Sequence, residues 1–129
     1  MSETLSFSKI PKKVPAFDQG LFALIKDKVL GKKYELSVAF VSKKKIQELN
    51  NQFRKVNSPT DILSFSLDEN SGEIIFYFDE VNRKSKLFGK TPLQYLNFLF
   101  IHGLLHLEGM EHGSKMEKKE KLLCKNFAI

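Results

Sequence analysis

The sequence predicts an α+β domain: a mixed four-stranded sheet, three parallel strands plus an antiparallel hairpin strand, packed with about five helices. Three observations predict it. Stretches of alternating hydrophobicity interleave with stretches of helical periodicity. A turn-forming run, Asp68-Glu69-Asn70-Ser71-Gly72, separates two apolar segments as a hairpin would. A nearly all-apolar segment follows Thr91-Pro92, a cap and first-turn proline that announce a central helix.

The elements follow in order. Thr4 to Ile10 alternates, Leu5 and Phe7 against Ser6 and Ser8, and reads as a first strand closed by Pro11 and Pro15. Phe17 to Leu30 has helical spacing in Phe17, Leu21, Leu24, Ile25 and Val29, and ends at Gly31. Tyr34 to Val41 alternates again through Leu36, Val38 and Phe40. Ser42 can cap the next helix, whose apolar face is Ile46, Leu49 and Phe53. Asn57-Ser58-Pro59-Thr60 is a turn, and Asp61 to Leu67 and Glu73 to Phe78 form the hairpin arms. A short helix is predicted from Asp79 to Phe88 and the central helix from Leu93 to Glu108, with Gly109 suited to end it. Ser114 to Asn126 forms a last helix, lysine-rich on one side, with Met116, Leu122, Leu123 and Phe127 available for packing. Right-handed crossovers make the first three strands parallel, and the hairpin adds an antiparallel fourth.

The chain of 129 residues fits one domain over residues 1–129, and its 12 Phe can fill a core without staples. The single cysteine, Cys124, cannot form an internal disulfide. Met1-Ser2-Glu3-Thr4-Leu5-Ser6-Phe7 lacks the charged-then-apolar pattern of a signal peptide. The longest apolar stretch, Leu93 to Leu107, is interrupted by Gln94, Asn97, His102 and His106 and is shorter than the roughly 20 residues of a membrane span. A soluble cytoplasmic protein with no membrane partner is therefore expected. The net charge of +6 attracts anionic partners, nucleic acid above all, although such a charge equally serves solubility. Of the 21 cationic residues only Arg54 and Arg83 are arginine, so those two positions stand out. No repeat, linker or low-complexity segment interrupts the chain.

All three histidines fall in His102-Gly-Leu-Leu-His106-Leu-Glu-Gly109-Met-Glu-His112. On one helix His102 and His106 lie within about 40° of each other, so two imidazoles can chelate one ion. Gly109 allows a turn that L-residues dislike, and His112 then returns as a third ligand. Three neutral imidazoles leave a tetrahedral ion one open position, the arrangement of catalytic rather than structural zinc. Water in that position loses a proton near neutral pH and becomes a nucleophile. Random placement of three histidines gives this spacing roughly once in three thousand trials, and a pair of core histidines bonded to carbonyls is the bland competitor. Metzincin proteases share the spacing and the glycine but place a glutamate after the first histidine; here that position is Gly103, which disfavours their mechanism.

These residues carry a family resemblance. His102 to His112 resembles the H-G-x-L-H-L-x-G-x-D-H signature of the YbeY family of endoribonucleases. Leu49-Asn50-Asn51-Gln52-Phe53-Arg54 and Pro59-Thr60-Asp61-Ile62-Leu63-Ser64-Phe65 are similar to its L-N-x-x-[YF]-R and P-T-D-V-L-S-F blocks, and Gly72-Glu73-Ile74 to its G-D-I element. Order and spacing match over nearly the whole chain. Glu73 and Glu111 stand where the family usually has Asp, Ser66 where Pro is common, and Glu108 where an apolar residue is usual. The resemblance implies a zincin-like metal helix. It also implies a single-strand-specific, metal-dependent endoribonuclease acting in ribosomal RNA maturation and ribosome quality control, with RNA and the ribosome or its proteins as partners.

The expected roles follow. His102, His106 and His112 hold one divalent ion; imidazoles favour zinc, and nickel or another divalent ion suits them too. His102 and Arg54 are the expected catalytic residues. Arg54 is chosen because guanidinium binds two phosphate oxygens at once, and the family correspondence points to the same residue. Asp61 either orients a ligand histidine or caps the Pro59-Thr60 turn. Glu111 either accepts a proton from the attacking water or is a solvated loop acid. Cys124 is read as a packed helix residue rather than a fourth ligand, and Lys115, Lys118, Lys119 and Lys121 as a solvated face. Two other readings stay open: a metallohydrolase of peptides or small phosphoesters, and a non-enzymatic RNA-binding ribosome-assembly factor with a structural metal.

Overall fold

The computed structural model describes residues 4–129; Met1, Ser2 and Glu3, part of the segment read against a signal peptide, lie outside them. The elements are β1 (Leu5–Phe7), α1 (Gln19–Leu30), β2 (Glu35–Phe40), α2 (Lys43–Arg54), β3 (Ile62–Asp68), β4 (Ser71–Phe76), α3 (Phe78–Leu87), α4 (Pro92–Leu107) and α5 (Ser114–Asn126). Most boundaries fall where the local chemistry puts them. Helix α1 starts at Gln19 rather than Phe17 because the Leu21 N–H donates to the Asp18 carboxylate at 3.0 Å, making Asp18 the cap. Phe17 instead packs its ring against Phe7, Phe22 and Phe40. Ser42 caps α2 as expected, accepting from the Lys45 N–H at 3.2 Å.

The four strands form one mixed sheet in the order β1-β2-β4-β3. Strands β1, β2 and β4 are parallel, and β3 pairs antiparallel with β4. Three parallel strands and one antiparallel hairpin strand are thus present, but the antiparallel member is the first hairpin arm, β3, rather than the second. Burial explains the swap. Ile74, Ile75 and Phe76 of β4 are all buried, which suits a strand covered on both faces and paired on both edges. Strand β3 carries Ser64, Ser66 and Asp68, tolerates water, and takes the sheet edge.

Successive side chains of β3 and β4 face opposite sides of the sheet, and two helical layers use them. Ile74 and Phe76 join the main core with Phe22, Leu96, Phe100, Ile101, Leu104 and their neighbours. Leu63 and Ile75 face α2 and meet Ile46 in a smaller cluster. The α2 face is therefore thinner than predicted: Phe53 is 56% exposed. Leu122 of α5 is likewise exposed rather than packed.

Helix α4 is the hub of the main layer, in contact with α1, α3, α5, β3 and β4. A reciprocal capping box fixes its start. The Gln94 N–H donates to Thr91 Oγ1 at 3.1 Å, and the Thr91 N–H donates to Gln94 Oε1 at 2.9 Å, with Pro92 at the first turn. Gly103 sets its distance from the sheet: a Cβ there would lie 2.9 Å from Ile62 Cδ1, 3.0 Å from Ser64 Oγ and 3.1 Å from Ile74 Cδ1. The glycine that follows His102 therefore lets α4 lie close on β3 and β4. A glutamate at this position, as in the metzincins, has no room.

Candidate metal centre and its groove

Helix α4 presents His102 and His106 one turn apart, and both are half-buried. The helix ends at Glu108, and Gly109 turns the chain with φ +101°, a conformation that Cβ-bearing residues adopt with strain. That turn returns exposed His112 to the other two. The three rings meet at centroid separations of 4.6, 5.1 and 4.6 Å, and one nitrogen from each ring lies within 4.8 Å of the others. Among the described residues this is the group of His, Cys, Asp and Glu side chains able to hold a metal ion.

The hydrogen bonds decide which nitrogens face inward. His102 Nδ1–H donates to the Glu120 carboxylate at 2.6 Å, and His106 Nδ1–H donates to the Met110 carbonyl at 3.1 Å. Both acceptors suit an N–H at Nδ1, which leaves each Nε2 to face the other rings. Those two Nε2 atoms stand 3.1 Å apart. At that distance they are placed either to share one proton or to ligate one cation. Tetrahedral zinc with bonds of 2.0–2.1 Å would separate its nitrogens by about 3.3 Å, so the arrangement fits such an ion. Burial, followed by the neighbouring His102 and His112, holds the His106 pKa below its ordinary value. The same burial favours the neutral, ligating form of the ring.

Glu120 was not anticipated as a partner of the histidines. It lies on α5 between Met116 and Leu123, and all three are buried. That spacing carried the signal: a carboxylate at an i+4 position of an apolar stripe needs a polar partner across the interface. Asp61, read from the sequence as either the orienter of a ligand histidine or a turn cap, is buried and serves other groups. It accepts from the Tyr95 hydroxyl at 3.0 Å, from Lys84 at 3.4 Å and from Thr60 at 3.3 Å, and its carbonyl accepts from the Tyr77 N–H at 2.9 Å. Of the two roles open to Asp61, turn anchor is the one its bonds describe. Burial and then the Asp61 charge push the Tyr95 hydroxyl pKa up, so it remains a donor. Glu111 is exposed. Cys124 lies outside the ligating group, and its thiol pKa is raised by burial and then by Glu120.

Arg54, the last residue of α2, reaches the same place from the opposite side. It is exposed and makes no ion pair among the described residues. The chain turns after it at Lys55, which adopts φ +60°, and the loop beyond is tied back by Asn50, whose amide donates to the Ser58 carbonyl at 2.9 Å. An open groove of about 820 Å³ runs from Arg54 and Phe53 along edge strand β3 to His102, His106 and His112. A smaller hollow of about 290 Å³, floored by Tyr95, Phe98 and Glu120, continues beyond His102.

A mixed α+β domain thus brings together two histidines one helix turn apart and a third delivered by a glycine turn, a group able to hold a metal ion. The chain belongs to the YbeY family: the family model described as Endoribonuclease YbeY matches residues 6–127. The Endoribonuclease YbeY of Staphylococcus carnosus is 34% identical, over 74% of this chain and 73% of that protein. The Sulfurovum protein of the same name is 36% identical over 74% of each chain. In three dimensions the chain is similar to the solution structure of TM1509 from Thermotoga maritima, with a TM-score of 0.61, 27% identity, and coverage of 95% of this chain and 88% of that one. No helix among the described residues is long and apolar enough to cross a membrane.

Proposed function

We propose that this protein is a single-strand-specific, metal-dependent endoribonuclease that acts on ribosomal RNA in the cytoplasm, in maturation and in ribosome quality control. The observation that carries the reading is the convergence of one nitrogen from each of His102, His106 and His112 within 4.8 Å, at the end of a groove that also holds Arg54. Family membership supplies the substrate class, and the net charge of +6 suits an anionic polymer.

His102, His106 and His112 would hold one divalent ion; imidazole ligands favour zinc, and nickel or another divalent ion suits them too. When bound, such an ion polarises a phosphoryl oxygen and supplies hydroxide from water near neutral pH. Glu120 and the Met110 carbonyl fix the tautomers of His102 and His106, which keeps both rings aimed inward. Arg54 binds the non-bridging phosphate oxygens and stabilises the charge that grows there in the transition state. Asp61 positions the Tyr95 hydroxyl and the Thr60 turn at the groove wall. Glu111, exposed beside His112, passes protons between the site and solvent.

Cleavage of single-stranded RNA, double-stranded RNA, single-stranded DNA and casein by the zinc-loaded chain tests the reading. Single-stranded RNA should be cut, and His106→Ala and Arg54→Ala should each lower the rate by at least 100-fold, a loss typical of removing a transition-state donor. Cleavage of casein alone, or RNA cleavage unaffected by His106→Ala, would overturn it.

A further inference from the structure

Phe53 and Leu67 are exposed by 56% and 63%, yet both line the groove that leads to the histidines. Large apolar side chains left bare in a groove that also holds Arg54 and three histidines are uncommon without a ligand to cover them. The Phe53 ring is not loose. It meets the ring of Phe65 on β3 at 4.7 Å with a tilt of 56°, and Phe65 is itself packed against the Ile46, Leu63 and Ile75 cluster. A half-buried ring therefore props an exposed one, at an aromatic-pair geometry that fixes its orientation. Arg54 follows Phe53 directly, at the end of α2. One helix end thus offers a flat apolar surface and a guanidinium side by side, matching a nucleotide's base and phosphate.

We propose that Phe53, braced by Phe65, is the platform on which one unpaired nucleobase of the RNA stacks, the base belonging to a nucleotide whose phosphate Arg54 contacts. The proposal deepens the nuclease reading and rests on it for the substrate class. Its consequence is selectivity. A base within a duplex is already stacked on both faces, whereas a splayed base can lie on Phe53, so the platform discriminates for single strands without reading sequence.

The test uses the full chain with a phosphorothioate-linked single-stranded RNA carrying one 2-aminopurine, whose fluorescence is quenched on stacking. Wild type should bind and quench. Phe53→Ala and Phe53→Leu should bind about ten-fold or more weakly and lose the quenching, Phe53→Tyr and Phe53→Trp should retain both, and all four should keep wild-type zinc content. In steady-state cleavage the loss in Phe53→Ala should fall mainly on KM, and an abasic substitution at the stacked nucleotide should cost wild type but not Phe53→Ala. Because Phe53 is more than half exposed, the variants should fold, and circular dichroism checks this. Equal binding and quenching by Phe53→Ala and wild type would overturn the platform while leaving the nuclease reading intact. Phe53-dependent binding without cleavage would overturn the nuclease reading and keep the platform, and absence of RNA binding by wild type would overturn both.

Discussion

Glu120→Gln removes a charge from the metal centre while keeping the shape of the side chain that touches it. In the native chain Glu120, 7% exposed, accepts from His102 Nδ1–H at 2.6 Å. A carboxylate in that place raises the basicity of Nε2 and holds the ring's tautomer; a glutamine oxygen still accepts, but without the charge, and its NH₂ can turn to the ring instead. Loss of such a partner weakens metal binding by about 10- to 100-fold, or about 1.4 to 2.7 kcal/mol. Because the ion binds the native state, the same energy disappears from the stability of the loaded protein. At about 3 to 5 °C per kcal/mol for a domain of this size, the zinc-induced rise in Tm should shrink by roughly 4 to 14 °C. Zinc affinity is read by competition with a chromophoric chelator, and Tm by calorimetry with and without zinc. Glu117→Gln, an exposed acid one turn away on the same helix, is the control and should change neither. Zinc affinity within three-fold of wild type in Glu120→Gln would refute the role given to Glu120.

Three further outcomes are expected. Gly103→Ala puts a Cβ 2.9 to 3.1 Å from Ile62, Ser64 and Ile74 and should cost about 1–3 kcal/mol, with the helix pushed off the sheet and zinc affinity reduced with it; denaturant titration and zinc competition measure the two. Lys55→Gly relieves a left-handed residue at φ +60° and should stabilise by about 0.5–1 kcal/mol in the same titration. His106, whose native pKa is depressed, holds fewer protons folded than unfolded once the pH falls below about 6.5, so it contributes nothing to the pH dependence above that value and destabilises the metal-free chain below it. Melts of metal-free protein from pH 8 to pH 5 should therefore show a shallower acid loss in His106→Gln than in wild type, and an unchanged slope would contradict the buried, neutral ring.

Much of this molecule was readable along the chain because its signals are local. Ser42, Thr91-Pro92 and Gly109 act within a turn of their own positions, and each does in the fold what its chemistry requires. The histidine spacing was legible for the same reason, since one helix turn and one glycine determine where the three rings go. What escaped depends on pairing between distant segments. Which hairpin arm sits at the sheet edge is decided by competition for the slot beside β2, won by the more apolar Ile74-Ile75-Phe76, and a crossover rule applied strand by strand does not see that competition. The acid that holds His102 comes from α5, 18 residues away and outside the family blocks, while Asp61, inside one of them, is committed to Tyr95 and Lys84. Helical periodicity placed Phe53 on the apolar face of α2, but the cluster beneath that face is small and leaves the ring in the groove.

The proposed activity depends on one ion held by His102, His106 and His112. Elemental analysis of the full chain, purified without added chelator and then dialysed against one equivalent of zinc, measures this directly, with His106→Ala and His112→Ala beside it. The account predicts one tightly held zinc per wild-type chain and far less than one in each variant, with RNA cleavage following metal content. Wild-type protein that retains no divalent ion, or variants that retain a full equivalent, would contradict it.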